Sequence, residues 1–212
     1  MNTSEKVSTQ RKGLIFVVLF FILVVLPAGS WFYLRGGLNW RHQAQAELQD
    51  YGKIRGAYII YPDGTKENQL KGKVCVLHFF GERPDLSNEN KMILDTGEKL
   101  VKQFGYKPGN AEDYFRLVMI CEGGTAEFKT HKQTLPTADL VNWVWTGGLG
   151  SWNSILANGY DSFCQKNNEQ PSNEYYALTD TSGTIRRFYD ALDEKDLGRM
   201  VEHISLLLPY HR

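Results

Sequence analysis

Few residues in this chain could do chemistry. The cysteines are three, Cys75, Cys121 and Cys164. Thiolates bind soft metal ions and attack disulfides, and imidazoles share the first role. An odd count excludes a fully paired disulfide framework and leaves at least one thiol free or bridged to another chain. No Cys-x-x-Cys occurs, so the pairing that lowers thiol pKa in disulfide oxidoreductases is missing. Cys75 and His78 stand three apart in the apolar run Val74 to Phe80. On a strand that offset sends them to opposite faces, so they cannot hold one ion. Core packing is the plainer role for both. Cys121 ends a second apolar run, Phe115 to Cys121, and is the candidate thiol; its competing role is that of a small buried residue. Cys75 and Cys121 fall near opposite ends of parallel neighbours, beyond the ~7 Å Cα separation a disulfide allows. Cys164 reads as a half-buried strand residue. His131, beside Lys132 in a polar loop, reads as solvated.

Arg83 and Asp85 lie in the turn after the first apolar run, just before a helical pattern. They form a candidate anion turn at a helix N-terminus. A local ion pair capping that helix is the simpler alternative. Gly147-Gly-Leu-Gly-Ser151 is Gly-rich but lacks a lysine, so a phosphate cradle is weakly supported and a loop is the simpler reading. No nucleophile–base pair emerges. The chain is expected to be no enzyme and to carry no cofactor.

The elements that must position these residues follow from periodicity. Val74 to Phe80 suits a strand buried on both faces. Gly81-Glu82-Arg83-Pro84 turns the chain, and Asp85 or Ser87 can cap the helix that follows. Ile93, Leu94, Leu100, Val101 and Phe104 recur at helical spacing. Ala57 to Tyr61 is an earlier strand, with Pro62 to Thr65 its turn. Trp143 to Trp145 is a short strand closed by Thr146-Gly147-Gly148. Ser151 to Asn158 is predicted as a short helix and Tyr160 to Cys164 as extended. Tyr175 to Thr179, the turn Asp180 to Gly183 and Thr184 to Tyr189 make a hairpin. Asp193 caps a last helix, Glu194 to Leu208, with Leu197, Met200, Val201 and Ile204 on its apolar face. This order predicts an α/β, thioredoxin-like domain.

Charge is balanced, with 24 Lys+Arg and 24 Asp+Glu, so nucleic acid is not an expected partner. Leu14 to Leu34 is 21 residues without a charge, enough to span a ~30 Å hydrocarbon core at ~1.5 Å per residue. Trp31 and Tyr33 sit at its far end as interfacial aromatics do. A cleaved signal peptide is the competing reading, with Pro27-Ala28-Gly29-Ser30 as its small residues. Lys6, Arg11 and Lys12 favour a cytoplasmic N-terminus, against Arg35 and Arg41 on the other side. The expected organisation is a cytoplasmic tail over 1–12, a transmembrane helix over 13–35, a linker or short amphipathic helix over 36–53, and a thioredoxin-like domain over 54–212.

The chain resembles the Sco/SenC family of membrane-anchored, thioredoxin-fold copper chaperones of cytochrome c oxidase. The resemblance covers roughly residues 54–210. Tyr61-Pro-Asp-Gly64 through Leu70-Lys-Gly-Lys-Val74 resembles that family's opening hairpin. Phe79-Phe-Gly81 with Pro84-Asp85-Leu86 resembles the stretch that carries its Cys-Pro-Asp-x-Cys copper motif. Trp143 to Gly147, Tyr176-Ala-Leu-Thr-Asp180, Gly183 and Leu208-Pro-Tyr210 resemble its later elements. Where the resemblance implies two cysteines and a histidine, this chain has Arg83, Ser87 and Ser172. The turn is also about two residues short. Arginine has no lone pair to give a soft metal ion. The resemblance therefore implies the scaffold without the copper site.

The expectation is a non-catalytic Sco-like accessory or assembly subunit of a respiratory oxidase or related integral membrane complex. It would be a single-pass inner membrane protein with its domain in the periplasm or intermembrane space. One alternative is a copper or thiol-disulfide chaperone using Cys121 or partner-supplied ligands. Another is an anion or small-molecule sensor at the Arg83 turn. Loops Gly123 to Gln133 and Gly147 to Ser151 flank the site end of the sheet. Trp145 and Trp152 stand near them as candidate interface residues, because Trp is enriched at binding hot spots; core packing is the competing role for each.

Overall fold

A computed structural model describes residues 14–54, 59–60, 66–67, 72–79, 87–105, 114–121, 143–147, 150–170 and 174–209. The chain divides into two compact units, Met1–Ala46 and Glu47–Arg212.

The first unit is described by the helix α1, Leu14–Glu47, long and apolar enough to cross a membrane. Its side chains from Leu14 through Leu26 are exposed. Phe21–Val25 is wound as a wider π-helical turn. It lies just before Pro27, whose ring removes a backbone donor and crowds the carbonyl one turn back. Residues 36–47, expected as linker or short helix, continue α1 without a break.

The second unit is built on a five-stranded mixed sheet. Its strands are β3 (Val74–Phe79), β4 (Phe115–Cys121), β5 (Trp143–Gly147), β6 (Tyr175–Thr179) and β7 (Ile185–Asp190), in the order β5-β4-β3-β6-β7. A two-stranded pair, β1 (Ile59–Ile60) and β2 (Lys66–Glu67), precedes them. β3, β4 and β5 run parallel, while β6 and β7 run antiparallel to β3 and to each other. The helices are α2 (Asn88–Phe104), α3 (Gly150–Asn167) and α4 (Glu194–Leu207).

Alternation along the strands builds two cores. Cys75, Leu77, Val118 and Ile120 join Leu156, Phe163 and Cys164 of α3 on one face. Val74, Val76, Leu117 and Met119 join Ile93 and Leu100 of α2 with Met200 and Ile204 of α4 on the other. The result is an α/β/α sandwich, the thioredoxin-like class expected from the order of elements. Caps agree with local chemistry. Ser87 Oγ accepts from Asn90 N–H at 3.2 Å, and Asp193 Oδ1 accepts from Lys195 N–H at 2.9 Å.

One expectation is overturned. Tyr160 to Cys164 is not extended; it continues α3, and Cys164 is a buried helical residue. Leu156, Tyr160, Phe163 and Cys164 lie at helical spacing and share one buried face. Gly159 lies within α3. A Cβ there would lie 2.8 Å from the Tyr51 carbonyl oxygen and 3.1 Å from the Phe188 ring. Glycine lets α3 approach its neighbours, and burial overrides the strand preference of Tyr and Phe.

Residues 49–54 form a strap along β7. Gln49 N–H donates to the Arg186 carbonyl, Tyr51 N–H to that of Ile185, Ile185 N–H to that of Gly52, and Ile54 N–H to that of Gly183. These bonds, at 2.8 to 3.0 Å, cover the start of edge strand β7, at Ile185 and Arg186, where backbone groups would otherwise be unpaired.

Candidate functional site

Parallel strands end together, and helices start where they end. β3 ends at Phe79 and α2 begins at Asn88. β4 and β5 end at Cys121 and Gly147, which are paired in register, and α3 begins at Gly150. One edge of the sheet thus gathers three strand ends and two helix N-termini.

The residues singled out in the sequence distribute around this edge as follows. Cys121 is the terminal residue of β4. Trp145 is in β5 opposite Met119, two residues back from the edge. Trp152 is in the first turn of α3. Cys121, Trp145 and Trp152 therefore share one end of the sheet. Arg83, Asp85, Ser172, His131 and most of the loops after Cys121 lie outside the described residues. Ser87 is described, and its hydroxyl is committed to capping α2.

Cys75 pairs with Arg116, five residues before Cys121. At ~3.3 Å per residue the two cysteines are about 16 Å apart along the sheet, which excludes a disulfide between them. Cys75 and Cys164 are buried. Burial raises the Cys164 thiol pKa, against a hydrogen bond from Tyr160 that lowers it. A buried thiol so shifted is a poor nucleophile at neutral pH.

Among the described residues, His78 is the histidine nearest the edge, one residue before the end of β3. It faces the α2/α4 side, tilted against the Tyr176 ring at 5.2 Å, while Cys75 packs on the α3 side. The opposite-face reading holds. Nδ1 lies 2.9 Å from the Tyr175 carbonyl and Nε2 3.5 Å from Glu174 Oε2. Burial outweighs the carbonyl bond and holds the ring's pKa down to about 4. Neighbouring Tyr176 donates its hydroxyl to the Ile93 carbonyl at 2.8 Å, tying β6 to α2 beneath the edge. Among the described residues, no three His, Cys, Asp or Glu side chains converge as a metal site would require.

A second polar cluster went unread in the sequence. Glu47 accepts from Arg199 through both carboxylate oxygens, Nε to Oε2 at 3.1 Å and Nη2 to Oε1 at 2.7 Å. Arg187 Nη1 reaches Oε2 at 3.1 Å. Buried His203 bonds Tyr189 Oη through Nδ1 at 2.7 Å. Glu47 is distant in the chain from β7 and α4, which carry the other members, so no local spacing marks the cluster.

No family model matches the chain, and no curated protein matches it. Solved structures do. BsSco, a member of the Sco family of cytochrome c oxidase assembly proteins, is similar at 12% identity and a TM-score of 0.50, over 73% of this chain and 94% of that one. A candidate electron transfer protein from Aquifex aeolicus VF5 is similar at 13% identity and a TM-score of 0.52, over 75% and 94%. A SCO1/SenC family lipoprotein from Bacillus anthracis str. Ames matches at 17% identity and a TM-score of 0.48, over 76% and 95%. The first two likenesses, with the sheet order, show a thioredoxin-like fold spanning nearly the whole of those chains.

Proposed function

We propose that this chain is a non-catalytic, Sco-like, membrane-anchored protein, an accessory or assembly subunit of a respiratory oxidase or a related membrane complex. It lacks a resident copper ion. The domain faces the periplasm or intermembrane space, behind an uncleaved helix whose N-terminus is cytoplasmic.

The observation that carries this reading is the use made of Ser87. The resemblance puts a copper-binding cysteine there. Here the hydroxyl accepts from the Asn90 amide and opens α2, a structural task with no ligand field to offer a soft ion. The fold shared with BsSco supports the scaffold, and α1 supports anchoring. An anchored domain meets its target at high effective concentration, so a modest docking surface suffices. Trp145 and Trp152, at the site end of the sheet, are the residues to test for that surface.

Two measurements test it. Competition against a Cu(I) chelator is expected to show no one-to-one complex tighter than a generic thiol protein forms. Extraction in mild detergents with crosslinking is expected to retain integral respiratory subunits, and Trp152→Ala is expected to weaken that complex more than the fold. Tight Cu(I) binding, or a monomer that retains no membrane protein in any detergent, overturns the reading.

The alternative with chemistry uses Cys121, and one observation favours it: this thiol residue closes β4 at the same edge as the α2 and α3 N-termini. Alkylation faster at Cys121 than at Cys75 and Cys164 supports it, and equally slow reaction of all three removes it.

A further inference from the structure

The strap has two halves held by different forces. The inner half is pegged by Tyr51, which is buried and edge-on to Phe163 and Phe188 at 5.3 and 6.1 Å. Its hydroxyl accepts from Asn167 at 3.4 Å, and the Tyr51, Ile54 and Ile185 amides are bonded around it. The outer half, from Glu47 to Asp50, has one backbone bond to β7, from Gln49 N–H to the Arg186 carbonyl. Asp50 is exposed and, among the described residues, accepts from Gly52 N–H within the strap. What fastens this half is the Glu47 carboxylate between Arg187 of β7 and Arg199 of α4, beside the partly buried Leu48 side chain packed against the α2/α4 core.

That fastening is built to come apart without stranding charge. Arg199 keeps Glu202 at 2.7 Å. Arg187 keeps the faces of Phe163 and Tyr189, at 5.6 and 5.7 Å. The closed cluster is also incompletely satisfied. Arg187 Nε and His203 Nε2 are buried without a hydrogen-bond partner among the described residues, and His203 Nε2 stands 3.7 Å from Glu47 Oε2, too long for one. A partly satisfied buried network is a weak point rather than a rivet.

We propose that Glu47 is a releasable latch. Its carboxylate holds residues 47–50 against β7 and α4, and its release frees that stretch while Tyr51 keeps the rest of the strap docked. Glu47 ends α1 and residues 48–50 follow it, so release frees about three further residues, roughly 10 Å of extended chain. The latch thus sets how far the ordered strap extends towards its N-terminal end. It does not depend on the respiratory reading.

Amide hydrogen exchange on the full-length protein in detergent micelles tests this, because local openings are read amide by amide. The Gln49 amide is expected to exchange faster than those of Tyr51 and Ile54. Glu47→Gln, which keeps shape and removes charge, is expected to speed Gln49 about ten-fold and leave Tyr51, Ile54 and Leu178 within about two-fold. Gln49 exchanging in step with Tyr51 and Ile54 in the unmodified protein overturns the proposal without any variant. A Glu47→Gln protein with Gln49 unchanged, or with every amide accelerated equally, overturns it too.

Discussion

His78 and His203 are buried as neutral rings, each held down to about 4, first by burial; Arg187 comes next for His203. In the unfolded chain an imidazole titrates near 6.5, so below that pH the unfolded state takes up the proton first. The stability carried by each neutral ring is full above pH 6.5 and is lost as pH falls through about 4. Urea unfolding at pH 4.5 is expected to cost less than at pH 7.5, each ring contributing on the order of 2 kcal/mol to the difference. His203→Gln should remove its share, and a pH-independent midpoint would refute the assignment. Glu47 acts in the same direction at lower pH, because the Arg199 bond keeps its carboxyl below the usual range. Ser87→Ala should cost about 1 kcal/mol as a lost cap and leave Cu(I) affinity unchanged, as measured by chelator competition on the same samples. The cap was legible, since a serine precedes an apolar-periodic run. The His203 cluster was not: nothing near it in sequence announces Tyr189 or Glu47.

Strands were read more truly than helices, for a reason visible in α3. β3 and β4 are apolar runs bounded by turns, and the β6–β7 hairpin carries its own turn. Asp180 accepts from Ser182 and Thr184 amides and pairs with Arg186 at 2.6 Å. Such local signals survive without tertiary context. In α3 the run Tyr160 to Cys164 reads as extended by local preference, and only the packing against Tyr51 and Phe188 explains a helix that continues through Gly159. Gly159→Ala tests that account. The added methyl meets backbone at 2.8 Å, so thermal or urea unfolding should show a loss of about 1–3 kcal/mol, as overpacking gives. A neutral or stabilising outcome, the usual result at an open helical site, would show that α3 can slide and that the close approach is not required. The candidate site was legible only as a place: strand ends and helix starts at one edge. Its side-chain chemistry lies largely in loops, where sequence patterns constrain least.

The globular unit reaches back to Glu47, because the strap supplies Tyr51 and Ile54 to the core. A fragment beginning at residue 47 is expected to fold as a soluble monomer. One beginning at residue 55 loses a buried tyrosine, a change on the order of 3–5 kcal/mol, and uncovers β7 for edge pairing. Size-exclusion chromatography and thermal unfolding of the two fragments separate these outcomes; equal behaviour would make the strap ornamental. The sheet order has a consequence for biosynthesis. β3, early in the chain, is the central strand, and its second neighbour β6 begins only at Tyr175. The strap, earlier still, docks on β7, which ends at Asp190. The strap and the second edge of β3 therefore wait for the unit's last elements, and a ribosome or translocon delivering the chain from its N-terminus leaves that edge unpaired, and the core face that α4 covers open, until synthesis is nearly done. On the anchored reading proposed above, α1 enters the membrane first and keeps that unfinished chain at the bilayer surface, so the period of greatest exposure to misassembly, and to any chaperone that guards against it, is spent tethered rather than in solution.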